Sequence, residues 1–382
     1  MTDRGGRSTR LAATAVALAL AVHPAALAGG WVIQSTPSSP GATNLVFGVS
    51  CASTSACTLV GSAAGGTTTR ALAARWDGGR WVLQHPLNVP GAVATGFFAV
   101  SCASLTTCTA VGSSAVASGA DSLLAEGWNG KTCTIERTVN PAGSINMRLR
   151  AVSCSSPTAC TAVGDYVVGN TEHALAERLS GGAWTIESVP LPAGAKGGLL
   201  FGVSCPSATA CTAVGYFTDS AGTSVTHASI SNGTSWRVEA TPNPTHQVFS
   251  VLSAVSCYST TTCTAVGSTL GATGPQLPLA ERWSGGRWSI QPTPAPKGSS
   301  EDQLQGVSCP SAASCLAVGS SGDASGSAMT LVEAWNGKAW TIQQTPNTPS
   351  ITNTLNGNSC VPKAPCVAAG YYLPGYTLVE RN

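Results

Sequence analysis

From Trp31 onward, short runs rich in Val, Ala, Leu and Thr alternate with breaks of Gly, Ser, Asn and Pro, and the runs return in groups of four. In each group the first run ends in Val-Ser-Cys, and the second follows another Cys, as in Cys211-Thr212-Ala213-Val214-Gly215. The third is apolar with one acid, as in Leu279-Ala280-Glu281-Arg282-Trp283, and the fourth opens on Trp, as in Trp288-Ser289-Ile290-Gln291. Runs of this length between turn signals predict strands. Asp77-Gly78-Gly79, Asn129-Gly130, Ser284-Gly285-Gly286 and Asn336-Gly337 join third runs to fourth, and Gly and Asn supply the positive φ that tight hairpins need.

The group repeats with a fixed period. Val49-Ser50-Cys51 returns at Val100-Ser101-Cys102, Val152-Ser153-Cys154, Val203-Ser204-Cys205, Val255-Ser256-Cys257 and Val307-Ser308-Cys309, and a seventh copy reads Asn358-Ser359-Cys360, each 51 or 52 residues after the last. Several short strands in a unit of this size mark a propeller blade. The expectation is an all-β, seven-bladed β-propeller of four-stranded antiparallel blades. The chain ends complement each other, since Leu378-Val379-Glu380-Arg381-Asn382 is a third run without a fourth and Gly30-Trp31-Val32-Ile33-Gln34 is a fourth without the rest. Residues 31–36 are therefore expected to complete the last blade and close the ring; an open solenoid would need polar caps instead. The strand order puts the loops from second to third and from fourth to first strands on one face, the top.

Fourteen of the 15 cysteines form pairs of identical spacing: Cys51/Cys57, Cys102/Cys108, Cys154/Cys160, Cys205/Cys211, Cys257/Cys263, Cys309/Cys315 and Cys360/Cys366. Each pair brackets the turn between first and second strands, and facing residues of an antiparallel pair lie close enough for a disulfide. All fourteen read alike, as staples across a turn. Zinc needs four ligands where each turn offers two, so no metal is expected. So short a loop makes each bridge worth about 2 kcal/mol. Cys133 is left over, at the position where other fourth strands carry Trp81, Trp184, Trp236, Trp288 and Trp340. It reads as a buried free thiol in place of an aromatic ring.

Composition adds the compartment. Arg4, Arg7 and Arg10 precede an apolar run from Leu11 to Val22, and Ala26-Leu27-Ala28 follows as a small-x-small site. This predicts a secretory signal peptide over 1–28, cleaved near Ala28, with 29–382 as the extracellular propeller. The first 28 residues hold three arginines and one aspartate of the 19 basic and 17 acidic residues, so the remainder has 16 of each. Without a basic patch, neither nucleic acid nor a membrane surface is an expected partner, and no second apolar stretch is long enough to span a bilayer. A monomer without cofactor is expected.

The pattern Val-Ser-Cys-x5-Cys-x-Ala-Val-Gly, followed by Glu-Arg-Trp-Asn-Gly-x-x-Trp, resembles secreted bacterial propeller-repeat proteins labelled by analogy to WD40, kelch or sialidase-type repeats. The resemblance spans the chain after the signal segment and implies fold and export. It implies no activity, because the matching positions are structural. Trp76-Asp77-Gly78-Gly79-Arg80-Trp81 is loosely similar to the Asp-box turn of sialidases, but the full Ser-x-Asp-x-Gly-x-x-Trp pattern is absent.

Catalytic groupings are thin. His85, His173, His227 and His246 fall in different units and read as solvated loop residues. A sialidase-like site needs clustered arginines and a Tyr nucleophile with an acid partner; Arg148 and Arg150 share one unit, and Tyr166, Tyr216, Tyr371, Tyr372 and Tyr376 follow second strands. Glu126, Glu177, Glu281, Glu333 and Glu380 repeat at one third-strand position and read as structural acceptors or ion-pair partners.

A binding site must break the repeat. Within the first strands Gly48, Ala99, Ala151, Gly202, Ala254, Gly306 and Gly357 are always small, as crowding near an axis requires, while the preceding residue varies: Phe47, Phe98, Arg150, Phe201, Ser253, Gln305 and Asn356. These seven are the candidate ligand-binding residues at the channel mouth, aromatic with one cation on one arc and polar on the other. The expected function is an extracellular, non-catalytic binding module for a glycan, peptide or cell-envelope component; the alternative is a secreted glycoside hydrolase or lyase of sialidase-like type.

Denatured, unreduced protein is expected to titrate with one free thiol, at Cys133, and peptide mapping to find only near-neighbour pairs. Several free thiols, or bound zinc, contradict the pairing.

Overall fold

The computed structural model describes residues 30–382, so the expected signal peptide over 1–28 lies outside the described residues. The described chain is all-β, with 28 strands in sheets of 4, 4, 12 and 8, and its antiparallel hairpins recur in units of four strands. The first comprises Thr43–Ser53, Ala56–Gly65, Thr68–Trp76 and Trp81–Leu83, each strand paired with the next. The seventh comprises Asn353–Cys360, Cys366–Tyr372 and Tyr376–Arg381, and its fourth strand is Val32–Ile33 from the other end of the chain. That strand is shorter than the expected 31–36. Gln34 N–H still donates to Val379 O at 2.8 Å, and Thr36 then meets Thr377 through its side-chain hydroxyl instead of the backbone ladder. Trp31 anchors the segment, 1% exposed against Val332, Leu355 and Leu378.

Seven disulfides join the predicted pairs, with Cα–Cα distances of 3.9–4.2 Å, and Cys133 is free. The partners face each other across the first hairpin of each unit, as Cys51 and Cys57 do in the register.

Within six of the seven disulfides the two cysteines differ in burial. The first cysteine of each pair is half-buried, but the second is a core residue in six of the seven units. Cys57, Cys108, Cys160, Cys211, Cys263 and Cys315 are only 1–4% exposed, whereas Cys366 is half-buried. Cys160 belongs to the apolar cluster of Val152 and Trp184, Cys263 to that of Val255 and Trp288, and Cys315 to that of Val307 and Trp340. Each of these three also touches a threonine of the preceding unit. Thr109 Oγ1 lies 3.8 Å from Cys160 Sγ, Thr212 Oγ1 3.6 Å from Cys263 Sγ and Thr264 Oγ1 3.6 Å from Cys315 Sγ. A disulfide sulfur has no hydrogen, so in these contacts the hydroxyl donates and the sulfur is a weak acceptor. The physical reason for the difference is strand position. The second strand is covered on both faces by neighbouring units, so its cysteine packs inward and seals a junction as well as closing a turn.

The serine between Val and Cys has its own role. Cys102 N–H donates to Ser50 Oγ at 3.0 Å, Cys154 N–H to Ser101 Oγ at 3.0 Å and Cys205 N–H to Ser153 Oγ at 2.9 Å. Cys257, Cys309 and Cys360 repeat the bond to Ser204, Ser256 and Ser308, and Cys51 N–H donates to Ser359 Oγ at 3.0 Å. Each unit thus satisfies a backbone donor of the next, and the seventh that of the first. A backbone N–H left unpaired in such a contact is costly, which explains a hydroxyl at this position in every copy.

Apolar side chains fill the spaces between units. One such cluster takes Val111, Leu123 and Ala125 from the second unit and Leu149, Val152, Leu175 and Trp184 from the third. The fourth-strand indoles close these clusters, and three hydrogen-bond to the preceding unit: Trp81 Nε1 donates to Gln34 Oε1 at 2.9 Å, Trp184 to Glu136 and Trp236 to Glu187 at 2.7 Å, whereas Trp288 and Trp340 Nε1 are buried without a partner.

The repeated glutamates divide into two groups. Glu126 accepts from Leu87 N–H at 3.0 Å and Glu177 from Val139 N–H at 2.8 Å, as acceptors should. Glu281, Glu333 and Glu380 are 0% exposed, and no partner in good hydrogen-bonding geometry reaches their carboxyls, although Thr226 beside Glu281 offsets part of the effect of burial there. Leu87 and Val139 lie six residues after the start of a fourth strand, and the positions corresponding to them for these three acids are Pro242, Pro294 and Pro346, which have no N–H. Burial pushes all three carboxyls up to about 8, with Asp302 adding to the effect at Glu333.

A carboxyl whose folded value is raised holds its proton more tightly in the native state, so stability falls as pH rises from about 4.5 to about 8. Buried His227, lowered to about 4, acts in the opposite sense below pH 6.5, so the clean comparison runs upward from there. The melting midpoint is expected to drop by several degrees between pH 6.5 and 8.5, and the triple variant Glu281→Gln, Glu333→Gln, Glu380→Gln to flatten the profile. An unchanged slope in that variant contradicts the assignment.

Candidate functional site

Every candidate residue of the inner strands lies at a β-bulge. The pairing shifts register between Val46 and Gly48, Phe97 and Ala99, Leu149 and Ala151, and Leu200 and Gly202. The same shift occurs between Leu252 and Ala254, Leu304 and Gly306, and Leu355 and Gly357. The skipped residues are Phe47, Phe98, Arg150, Phe201, Ser253, Gln305 and Asn356, all half-buried. A bulge leaves its extra residue unpaired and re-aims its side chain.

The bulge explains the glycine of Ala-Val-Gly. A Cβ on Gly61 would lie 1.9 Å from Leu45 O, and on Gly112, Gly164, Gly215, Gly267, Gly319 or Gly370 it would meet the corresponding carbonyl at 1.9–2.0 Å. Those carbonyls belong to backbone and cannot swing aside. The small residues after the bulges also have a steric reason. A Cβ on Gly202 would lie 2.9 Å from Ala254 Cα, on Gly306 3.0 Å from Gly357 Cα, and on Gly357 3.4 Å from Gly48 Cα.

The structure brings part of the candidate ring into contact. Phe47 and Phe98, from adjacent units, have ring centroids 5.7 Å apart. The Arg150 guanidinium lies over the Phe201 ring at 4.9 Å and pairs through Nε with Asp165, whose carboxyl is buried. Phe201 adjoins Tyr216 at 6.2 Å, and Tyr216 adjoins Phe249 at the same distance. Asn356 turns away from a ligand role, donating to Val46 O of the first unit at 2.6 Å. Ser253 and Gln305 make none of these contacts.

Two members of this cluster, Asp165 and Phe249, escape sequence reasoning, and Tyr216 is placed differently from expectation. Asp165 occupies the position after the second-strand glycine, where Ser62, Ser113, Ser268 and Ser320 stand in other units, so its departure from the repeat was a usable signal. Tyr216 stands at the same position one unit on, within its second strand rather than after it. Its hydroxyl donates to Glu172 Oε2 at 3.0 Å, and burial, with Glu172 adding, pushes the phenol up to about 12. Phe249 gives no such signal.

The histidines differ from expectation at two positions, since His173 lies half-buried on a third strand, stacked on Tyr166 at 5.1 Å, and His227 is buried. His227 is not solvated but 1% exposed on the third strand of its unit, with Nε2 3.0 Å from Ser229 Oγ and Nδ1 unpartnered. Burial lowers it to about 4, so it is neutral. No acid orients this pair and Ser229 is 0% exposed, so it reads as a core hydrogen bond.

Among the described residues, no cluster of three or more His, Cys, Asp or Glu is placed to hold a metal, and no helix is long and apolar enough to cross a membrane.

No family profile matches the chain, and no curated protein does. Among solved structures the chain is similar to YCF48 bound to a D1 peptide, at 11% identity and TM-score 0.53, over 92% of this chain and 96% of that one. It is also similar to the extracellular domain of a putative hybrid two-component system from B. thetaiotaomicron, at 9% identity and TM-score 0.53, over 91% of this chain and 39% of that one. Likeness at such identity speaks for the fold alone, which is all-β and propeller-like.

Proposed function

We propose that the chain is a closed seven-bladed propeller, exported with cleavage near Ala28, that binds an extracellular glycan, peptide or cell-envelope component through the Arg150 sector of its channel mouth. Closure is supported by the pairing of Val32–Ile33 with Tyr376–Arg381 and by the bond from Cys51 to Ser359. Export is supported by the seven disulfides, which persist in oxidising compartments.

The observation that carries the binding reading is the asymmetry of one sector. Arg150, Asp165, Phe201, Tyr216 and Phe249 form a polar-aromatic cluster that the other units do not repeat. An aromatic face beside a fixed charge suits a sugar ring or a peptide side chain. The fold likeness to a peptide-bound protein, YCF48, agrees with a peptide ligand. A hydrolase reading has one observation in its favour, the Tyr216–Glu172 hydroxyl–carboxylate pair. A phenol pushed up to about 12 is a poor nucleophile, however, and Arg150 is already engaged by Asp165.

Deleting residues 29–36 is expected to lower the melting midpoint by ten degrees or more, because it removes Trp31 and bares the edge of the last unit. Unchanged melting contradicts closure.

For the site, glycan and peptide arrays read with parallel product analysis identify a ligand. Phe201→Ala is then expected to weaken binding about tenfold with little change in melting. Arg150→Ala alone strands the buried Asp165 carboxylate, so Arg150→Gln with Asp165→Asn is the cleaner variant. Normal binding by both variants rejects the site, and product release lost in Tyr216→Phe selects the hydrolase reading.

A further inference from the structure

Six of the seven apolar clusters between units contain a fourth-strand tryptophan: Trp31, Trp81, Trp184, Trp236, Trp288 or Trp340. The cluster between the first and second units contains none, because Cys133 stands there. In its place is a partly open cavity of about 40 Å³, lined among others by Arg75, Gln84, Pro86, Glu126, Trp128 and Cys133.

The groups that receive an indole N–H in three of the other units are present here, whereas Trp288 and Trp340 have no partner on theirs. Gln84 corresponds to Gln34, Glu136 and Glu187, which accept the indole N–H in other units. It directs its amide nitrogen to Val82 O and Leu83 O, leaving Oε1 as its acceptor. Trp128 corresponds to Trp76 and Trp335, which pack on their fourth-strand indoles with centroids 5.7 Å apart. Lacking that partner, Trp128 is covered by Arg75 at 4.0 Å, whereas Arg381 and Arg282 stay 5.6 Å from Trp76 and Trp335. Arg75 keeps the anchor its counterparts have, donating to Leu105 O as Arg282 does to Ala312 O and Arg381 to Thr54 O, but its guanidinium lies closer to the ring.

We propose that this slot is a second binding site, for an indole ring, which stacks on Trp128 and donates its N–H to Gln84 as Arg75 withdraws. The occupant is read from the molecule's own internal repetition: six equivalent slots hold the same ring, and an indole restores the seventh. The empty volume holds about one water, so entry requires Arg75 to retreat to the spacing seen beside Trp76 and Trp335. The ring can come from free indole or from a tryptophan side chain of a peptide. The site is separate from the Arg150 sector and does not depend on it.

The test uses the whole mature protein, with indole and N-acetyl-tryptophanamide as probes. Cys133→Trp is expected to melt about 2 °C above wild type. Millimolar indole is expected to raise the wild-type midpoint and leave that of Cys133→Trp unmoved. Should Cys133→Trp not fold, alkylation of Cys133 in wild type at pH 8 serves instead, slow in itself because burial and Glu126 push the thiol up to about 12, and slowed at least fivefold further by saturating indole. Protection by both probes marks a slot open to a peptide tryptophan, and protection by indole alone a slot for the free ring; either supports the site. A lower midpoint in a folded Cys133→Trp, equal indole shifts in both proteins, or no shift and no protection overturns it.

Discussion

Each inner strand has one residue more than its partner can pair with, and accommodating that residue constrains much of the unit. The bulge drives a carbonyl toward the second strand, where only a glycine leaves room, 1.9–2.0 Å from where a Cβ would stand. The residue after the bulge meets the neighbouring inner strand and must be small. The bulged residue itself is freed from the ladder, so it can vary without disturbing the unit. The architecture thereby creates one unconstrained position per unit, and chemistry collects there.

The contacts between units have a similar division of labour. Serine hydroxyls and tryptophan indoles serve polar groups at the junctions while aliphatic side chains and the inner sulfurs fill the space between. Where a donor is missing, the effect is local. Proline after the fourth strand removes the N–H that Glu126 and Glu177 accept, and burial then pushes the acids opposite further up, to about 8 against about 7 for Glu177. Cysteine in place of one tryptophan leaves a gap that an arginine lines.

Much of this was legible in the sequence, because architecture repeats and repetition is visible. The four runs, the cysteine pairs and the complementary chain ends all follow from spacing. The row of small residues was also readable, as was the variable position before it. The bulge was not, since an extra residue in one strand shows only against the register of its partner. Spacing also pairs Cys154 with Cys160 without telling that Cys160 alone lies in the core, because that depends on the unit packed against it. Nor was the Arg150–Asp165 pair visible, which joins residues on two strands of a unit. Asp165 did stand out against four serines, and comparing second strands as closely as first strands would have found it. The different fates of Glu126 and Glu281 depend on a residue in the preceding unit, beyond the reach of any reading of one repeat alone.

The last unit is assembled from both ends of the chain, with Val32–Ile33 pairing with Tyr376–Arg381. A ribosome makes the first of these strands long before the second, so the final sheet cannot form until Tyr376–Arg381 has been made. The early strand waits with its hydrogen-bonding edge and Trp31 unsatisfied. Until Tyr376–Arg381 arrives, the last unit cannot lock.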